Sequence, residues 1–186
     1  MKVIHLFKNE SQLIARAINN NRASQQRLYE MYSGKMLSVC RMYIKDLHHA
    51  EEVMLNGFFK VFSHLKDFKH EGSFEGWIRR IMIRESISFL RSRKTLDFKD
   101  DGLETYSGSS NDIQSKMDVE EIQQLIDALP EGYRLVFVMF AVEGYKHNEI
   151  AEILGITEGT SKSQLFKARK ILQEQLSTKF EGYGTT

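Results

Sequence analysis

From Thr160 to Lys170 the sequence places Thr160, Lys162, Ser163, Gln164, Lys167 and Lys170 within about three turns of a helix. Short hydroxyls, an amide and lysine ammonium groups bond to phosphate oxygens and base edges, so this set suits a DNA major groove. A second set lies upstream. Arg79, Arg80, Arg84, Arg91 and Arg93 are interleaved with Trp77, Ile78, Ile81, Ile87 and Leu90, after a loop that carries Lys69, His70 and Ser73. Aromatic rings stack on unpaired bases and guanidinium groups hold phosphates, so the arginines and this loop suit single-stranded DNA. Trp77 itself is expected to anchor the core. Catalytic or metal chemistry has no comparable support. The one cysteine, Cys40, leaves no internal disulfide and no cysteine-based zinc site, and the six histidines include no His-Glu-x-x-His pair. His48 and His49 point to different sides of a helix. No clustered carboxylates and no phosphate-binding glycine loop argue for an enzyme such as a nuclease, and no cofactor is expected.

The elements that must carry the first set are legible. Residues 149–169 read as helix, tight turn, helix. Ile150, Ala151, Ile153 and Leu154 share one side, with Ala151 small where a second helix crosses. Gly155 is expected to take a left-handed conformation at the end of the first helix. Ile156 fills the corner, Thr157 caps the second helix, and Glu158 favours its positive end. On that second helix Leu165, Ala168, Leu172 and Leu176 form one stripe, with Thr160, Ser163, Lys167 and Lys170 opposite and Lys162 and Gln164 flanking. Ser161 falls near the apolar stripe, where a valine or isoleucine would pack better.

Another helix has two apolar sides. Asp46 is expected to cap a helix running to about Leu65. Ala50, Val53, Met54, Gly57, Phe58, Val61 and Leu65 form its core side. Leu55 and Phe59 lie on the reverse side with Glu52 and Asn56. That pattern fits a partner-binding surface, or equally a second packing contact inside a small helical bundle. The next break is Gly72-Ser73, with Ser73 as cap and Glu75 in the first turn of a helix to about Arg93.

Charge divides the chain. Residues 1–95 carry 17 Lys+Arg against 9 Asp+Glu, residues 96–131 carry 2 against 10, and residues 132–186 carry 7 against 6. Such asymmetry points to a nucleic-acid-binding front, an acidic connector and a second module. Helical periodicity runs from about Glu10 to Arg93 and again from about Met117 to Phe180, with Pro130 expected as the first residue of a helix. The stretch between lacks a period and is rich in Gly, Ser and acids. The expected fold is all-α: two small helical domains over 1–94 and 117–180, joined by a flexible acidic linker over 95–116, with a tail at 181–186. No signal peptide and no long apolar run stand out, so the chain is expected to be cytoplasmic, without direct membrane insertion.

Residues 52–62, 73–81 and 149–169, in that order, make the chain resemble bacterial sigma factors of the extracytoplasmic-function (ECF) group over roughly residues 10–178. The resemblance implies two helical domains, regions two and four, that bind core RNA polymerase and direct it to promoters. It implies that residues 46–62 dock on the clamp helices of the polymerase β′ subunit, through Asp46, Glu52, Leu55, Asn56 and Phe59. Leu55 replaces the family's usual glutamine, which makes that contact more apolar. It further implies that residues 68–84 melt and read the minus-ten element on the non-template strand, through Lys69, His70, Ser73, Phe74, Arg79, Arg80 and Arg84. Residues 147–170 would read the double-stranded minus-thirty-five element. Other implied partners are the polymerase β flap and an anti-sigma factor. The main alternative is a dimeric helix-turn-helix regulator that does not replace the polymerase specificity subunit. It would need a ligand or phosphoacceptor domain, and none is visible. A protein-interaction module such as an anti-sigma partner fits the arginine-rich helix and the DNA-reading hairpin less well.

Overall fold

Side-chain caps punctuate the chain and set where its helices begin. Asn21 Oδ1 accepts from Ser24 N at 2.9 Å, and Asp46 Oδ1 accepts from His49 N at 2.9 Å. Ser73 Oγ accepts from Gly76 N at 3.0 Å, and Thr157 Oγ1 accepts from Thr160 N at 3.0 Å. Each satisfies a backbone N–H that a helix start leaves without a partner. The structure, a computed structural model, describes residues 3–93 and 119–181. The expected linker, 95–116, lies outside the described residues. So does the expected tail, apart from Glu181, which closes the last helix.

The fold is all-α. In the first part it runs α1 (Val3–Ile18), α2 (Arg22–Tyr43), α3 (Leu47–Ser63), a 3₁₀ turn (Leu65–Asp67) and α4 (Phe74–Ser92). In the second it runs α5 (Val119–Ala128), α6 (Glu131–Phe137), a π-helical turn (Val138–Val142), α7 (His147–Leu154) and α8 (Glu158–Glu181). Backbone contacts divide the chain into two compact units between Leu90 and Arg91.

In the first unit α2 packs against both α1 and α3. The expected core side of α3 is buried throughout, from Ala50 to Val61, and Leu65 is buried in the turn that follows. α4 contributes Phe74, Ile78, Met82, Ile83, Ile87 and Leu90. Gly57 lets α3 approach α4 closely, because a Cβ there would meet the Met82 side chain. Cys40 is fully buried, and burial pushes its thiol up to about 11, so almost no reactive thiolate exists at neutral pH. α1 begins at Val3, earlier than the periodicity near Glu10 indicates. Four apolar residues among the five from Val3 to Phe7 leave no polar side to mark a period.

In the second unit α5, α6 and α7 all pack on α8. Leu129, Tyr133 and Ala168 are buried together, with Phe137, Ile171 and Leu172 against them. Pro130 sits one position before the first residue of α6, not within its first turn. Its ψ of 147° is extended, so its ring fixes the approach to the helix.

Two glycines give opposite expectations for stability. Gly57→Val forces Met82 out of its place and should cost about 1–3 kcal/mol. Gly34 lies inside α2 with no atom within 4 Å of an added Cβ, so Gly34→Ala should add about 0.5–1 kcal/mol. Denaturant unfolding of the full chain reads both. Equal midpoints for the two variants would refute the assigned helix contact.

Candidate nucleic-acid interface

Three surfaces collect the residues singled out by sequence. The first is the outer side of α3. Its inner side is wholly buried, yet Leu55 is 54% and Phe59 74% exposed, with Glu52 and Asn56 exposed beside them. Among the described residues this side is therefore not used for a second packing contact inside the bundle. Beside Leu55, between α2 and α3, lies a cavity of about 300 Å³ lined by Tyr29, Ser33, Leu37, Glu51 and Met54. Leu47, 50% exposed, extends the apolar exposure to the start of the helix. Asp46 caps this helix and is itself exposed. The His49 amide, with the nearby imidazoles, holds its carboxyl below the usual carboxylate range.

The second surface is the loop before α4 and the helix after it. Phe68 is buried and anchors the loop, with its ring 5.2 Å from Phe74, 5.4 Å from Trp77 and 4.6 Å from His70. His70 (φ 57°) and Gly72 (φ 99°) take left-handed conformations, which turn the backbone sharply between Phe68 and Ser73. A cavity of about 520 Å³ opens there, lined among others by Glu10, Tyr32, His70, Ser73 and Arg79. Its size lies in the range of small-ligand pockets. Tyr32 donates its hydroxyl to the Glu10 carboxylate, which ties α1 to α2 at the cavity wall. Burial, reinforced by that bond, raises the phenol pKa. Arg80, Arg84, Lys69 and Ser73 are exposed, and Arg79 is half-buried.

Two expectations here need correction. Phe74, expected among the minus-ten contacts, is 2% exposed and packs edge-on against Tyr32 at 5.6 Å. As the first residue of α4 its side chain turns inward under the loop. Trp77, expected as the core anchor, is half-buried: it stacks on Phe74 at 5.8 Å while Ile78 and Met82 fill the interior.

The third surface is the hairpin of α7 and α8. Gly155 takes φ 70°, and Thr157 caps α8, as expected. Ser161, Gln164, Leu165 and Ala168 are the buried stripe. Gln164, expected as a flanking DNA contact, is therefore corrected: it is 4% exposed, one turn after Ser161 and one turn before Ala168 on the core side. Thr160 and Lys167 sit at the edge, half-buried, while Lys162, Ser163 and Lys170 are exposed. The centre of the outward face holds a residue that sequence reasoning passed over. Phe166 is 71% exposed between Ser163 and Lys170. The signal was available, since an aromatic residue on the polar side of an otherwise amphipathic helix is unusual and invites an apolar contact such as a thymine methyl. Ser161 does not fit the apolar stripe as an aliphatic residue would; its Oγ lies 2.9 Å from His147 Nδ1.

Among the described residues no group of three or more His, Cys, Asp or Glu can hold a metal. No helix there is long and apolar enough to cross a membrane.

Two family models match the chain. The family described as Sigma-70 region 2 matches residues 28–95, and that described as Sigma-70, region 4 matches residues 119–172. The RNA polymerase sigma factor SigV of Bacillus subtilis is 27% identical over 73% of this chain and 80% of its own length. The ECF RNA polymerase sigma factor SigW of the same organism is 28% identical over 80% of this chain and 87% of its own. Among solved structures, the sigma factor RpoE in complex with the anti-sigma factor NepR from Bartonella quintana is 21% identical. It covers 82% of this chain and 96% of its own with a TM-score of 0.54, a likeness of fold.

The Asp46 cap makes a pH prediction. Its carboxyl pKa is lowered in the folded chain, so its contribution to stability is complete above the ordinary carboxylate range and is lost as pH falls through the folded value. Asp46→Asn keeps a capping oxygen without the charge. Unfolding midpoints of the two chains should differ at neutral pH and converge in acid. A difference that persists in acid would assign the effect to something other than this carboxylate.

Proposed function

The chain belongs to the sigma-70 factors, in the ECF group, and directs promoter-specific transcription by RNA polymerase; on that premise we propose how its surfaces divide the work. The outer side of α3 docks on the clamp helices of the polymerase β′ subunit, with Leu55 and Phe59 as apolar anchors and Glu52 and Asn56 around them. The observation that supports this most is that α3 buries its entire inner side and still presents two large apolar residues to solvent. An exposed apolar patch rimmed by polar groups marks a site of protein interaction.

The loop from Phe68 to Ser73 and the start of α4 take the melted non-template strand of the minus-ten element. The 520 Å³ cavity has room for an unstacked base, and His70, Ser73 and Arg79 supply polar groups at its wall. Arg80 and Arg84, exposed on the same helix, hold phosphates. α8 lies in the major groove of the minus-thirty-five element. Ser163 and Phe166 face bases, while Lys162, Lys167 and Lys170 hold the backbone. The β flap is the second polymerase contact. An anti-sigma protein would compete for the α3 face, and the factor works in the cytoplasm with the polymerase.

Run-off transcription tests the whole reading. Purified core polymerase with this chain should give promoter-specific transcripts that core alone does not. Transcripts independent of the chain would defeat it. Two substitutions test the division of labour. Phe59→Ala should weaken polymerase binding by about 2 kcal/mol or more and leave DNA contacts intact. Lys170→Ala should leave polymerase binding unchanged, weaken promoter binding and lower the salt dependence by about one phosphate contact. If both variants failed at the same step, the assignment of separate surfaces would be wrong.

A further inference from the structure

Ser161 is fully buried on the inner side of α8, in line with Gln164, Leu165 and Ala168, and α8 packs on α7. A hydroxyl there packs less well than a methyl group unless it is hydrogen-bonded. Its partner is His147, the first residue of α7, at 2.9 Å from Nδ1 to Oγ. The His147 ring in turn stacks on Phe140 of the π-helical turn, with centroids 4.7 Å apart and planes 23° from parallel. Arg169, two turns along α8 from Ser161, places its guanidinium carbon 5.6 Å from the centre of the same Phe140 ring. α8 is therefore tied at two points, about 12 Å apart along its axis, to one aromatic pair.

We infer that the Phe140–His147 pair is a positioning platform that sets the rotation of α8 about its own axis, and so which side chains face the minus-thirty-five bases. The inference rests on the reading of α8 as the groove helix. Its physical basis is direction. Apolar contacts are non-directional and tolerate sliding, whereas the Ser161–His147 hydrogen bond holds only over a narrow range of angles and the Phe140 ring limits where the His147 ring and the Arg169 guanidinium can lie. One bond near the start of α8 would leave the helix free to pivot. A second, eight residues later, removes that freedom. Ser163, Phe166 and Lys170 lie between or next to the two ties and inherit the rotation they fix. None of the platform residues needs to touch DNA.

The test uses holoenzyme assembled from core polymerase and the full chain, incubated with a pool of randomised DNA duplexes. The duplex enriched by the wild type, and the same duplex scrambled in its minus-thirty-five segment, then serve as probes. His147→Ala and Ser161→Ala should each lower the preference for the enriched duplex by about fivefold, the net worth of one hydrogen bond. The double variant should lose about the same fivefold and not the product. Affinity for the scrambled duplex and the salt dependence should stay as in the wild type. His147→Asn, which keeps a polar group near the Nδ1 position but loses the ring, should recover part of the preference when Ser161 is present and none when it is alanine. Without DNA, Ser161→Ala should shift the imidazole nitrogen resonances of His147. Multiplicative losses, equal weakening on both duplexes, or unmoved His147 resonances would each overturn the platform. A wild type that enriches no minus-thirty-five sequence overturns instead the reading of α8 from which the inference starts.

Discussion

Met82 of α4 reaches with its sulfur and terminal methyl into the space that any side chain at position 57 of α3 would need, so glycine there lets the two helices meet. Much of the first unit follows from it. An α-helix advances about 100° per residue, so committing Gly57, Phe58, Val61, Ala50, Val53 and Met54 to the interior puts Glu52, Leu55, Asn56 and Phe59 among the residues left outside. The exposed apolar pair is thus a consequence of the core and not an addition to it. Ion pairs mark the flanks of the same arrangement: Lys60 Nζ lies 2.7 Å from Glu85 Oε1, and Lys35 Nζ lies 2.7 Å from Glu75 Oε2. These surface pairs add little energy, but they agree with the helix orientation that the buried contacts impose.

The second unit is built on the same logic with a different device at its crossing. Leu129, Tyr133 and Ala168 form one cluster of its apolar interior, to which Leu135, Met139, Ile150, Leu154 and Leu165 add. The polar part, Ser161 with His147, lies where α7 and α8 come together. The π-helical turn at Val138–Val142 places Phe140 beside that pair, and Gly144 at φ 76° then redirects the chain toward α7. A promoter-reading helix demands a fixed rotation, because a turn of one residue replaces every group it offers to the groove. Directional contacts restrict that rotation more sharply than apolar packing alone.

The readings that needed correction share a cause. Phe74 and Gln164 are both of residue types that contact DNA in isolation, and both were placed by local pattern. Phe74 turns inward because Tyr32 of α2 and Phe68 of the preceding loop close around it, with Trp77 of its own helix stacked beside it. Gln164 is buried because the true centre of the inner stripe lies between Ser161 and Ala168, which shifts the outward face toward Phe166. A helical wheel drawn on Leu165, Leu172 and Leu176 cannot reveal this. Leu172 and Leu176 are only half-buried, so they weight the stripe toward residues that the core does not fully use.

Much was legible from the residues alone. The caps at Asp46, Ser73 and Thr157, the left-handed Gly155 and the inner stripe of α3 are local events, decided by a side chain and the three or four residues beside it. The order of the two sigma regions also lies in the sequence, because their motifs are contiguous. What tertiary structure decided was whether a given apolar residue has a partner. Leu55 and Phe59 are as hydrophobic as Phe58 and Val61, and only the positions of α1, α2 and α4 determine which pair is covered. The cavity walled by Glu10, Tyr32 and Arg79, and the pairing of Ser161 with His147, likewise join residues far apart in the chain. Burial and directional polar contacts depend on what the rest of the fold brings alongside, and no local pattern carries that information.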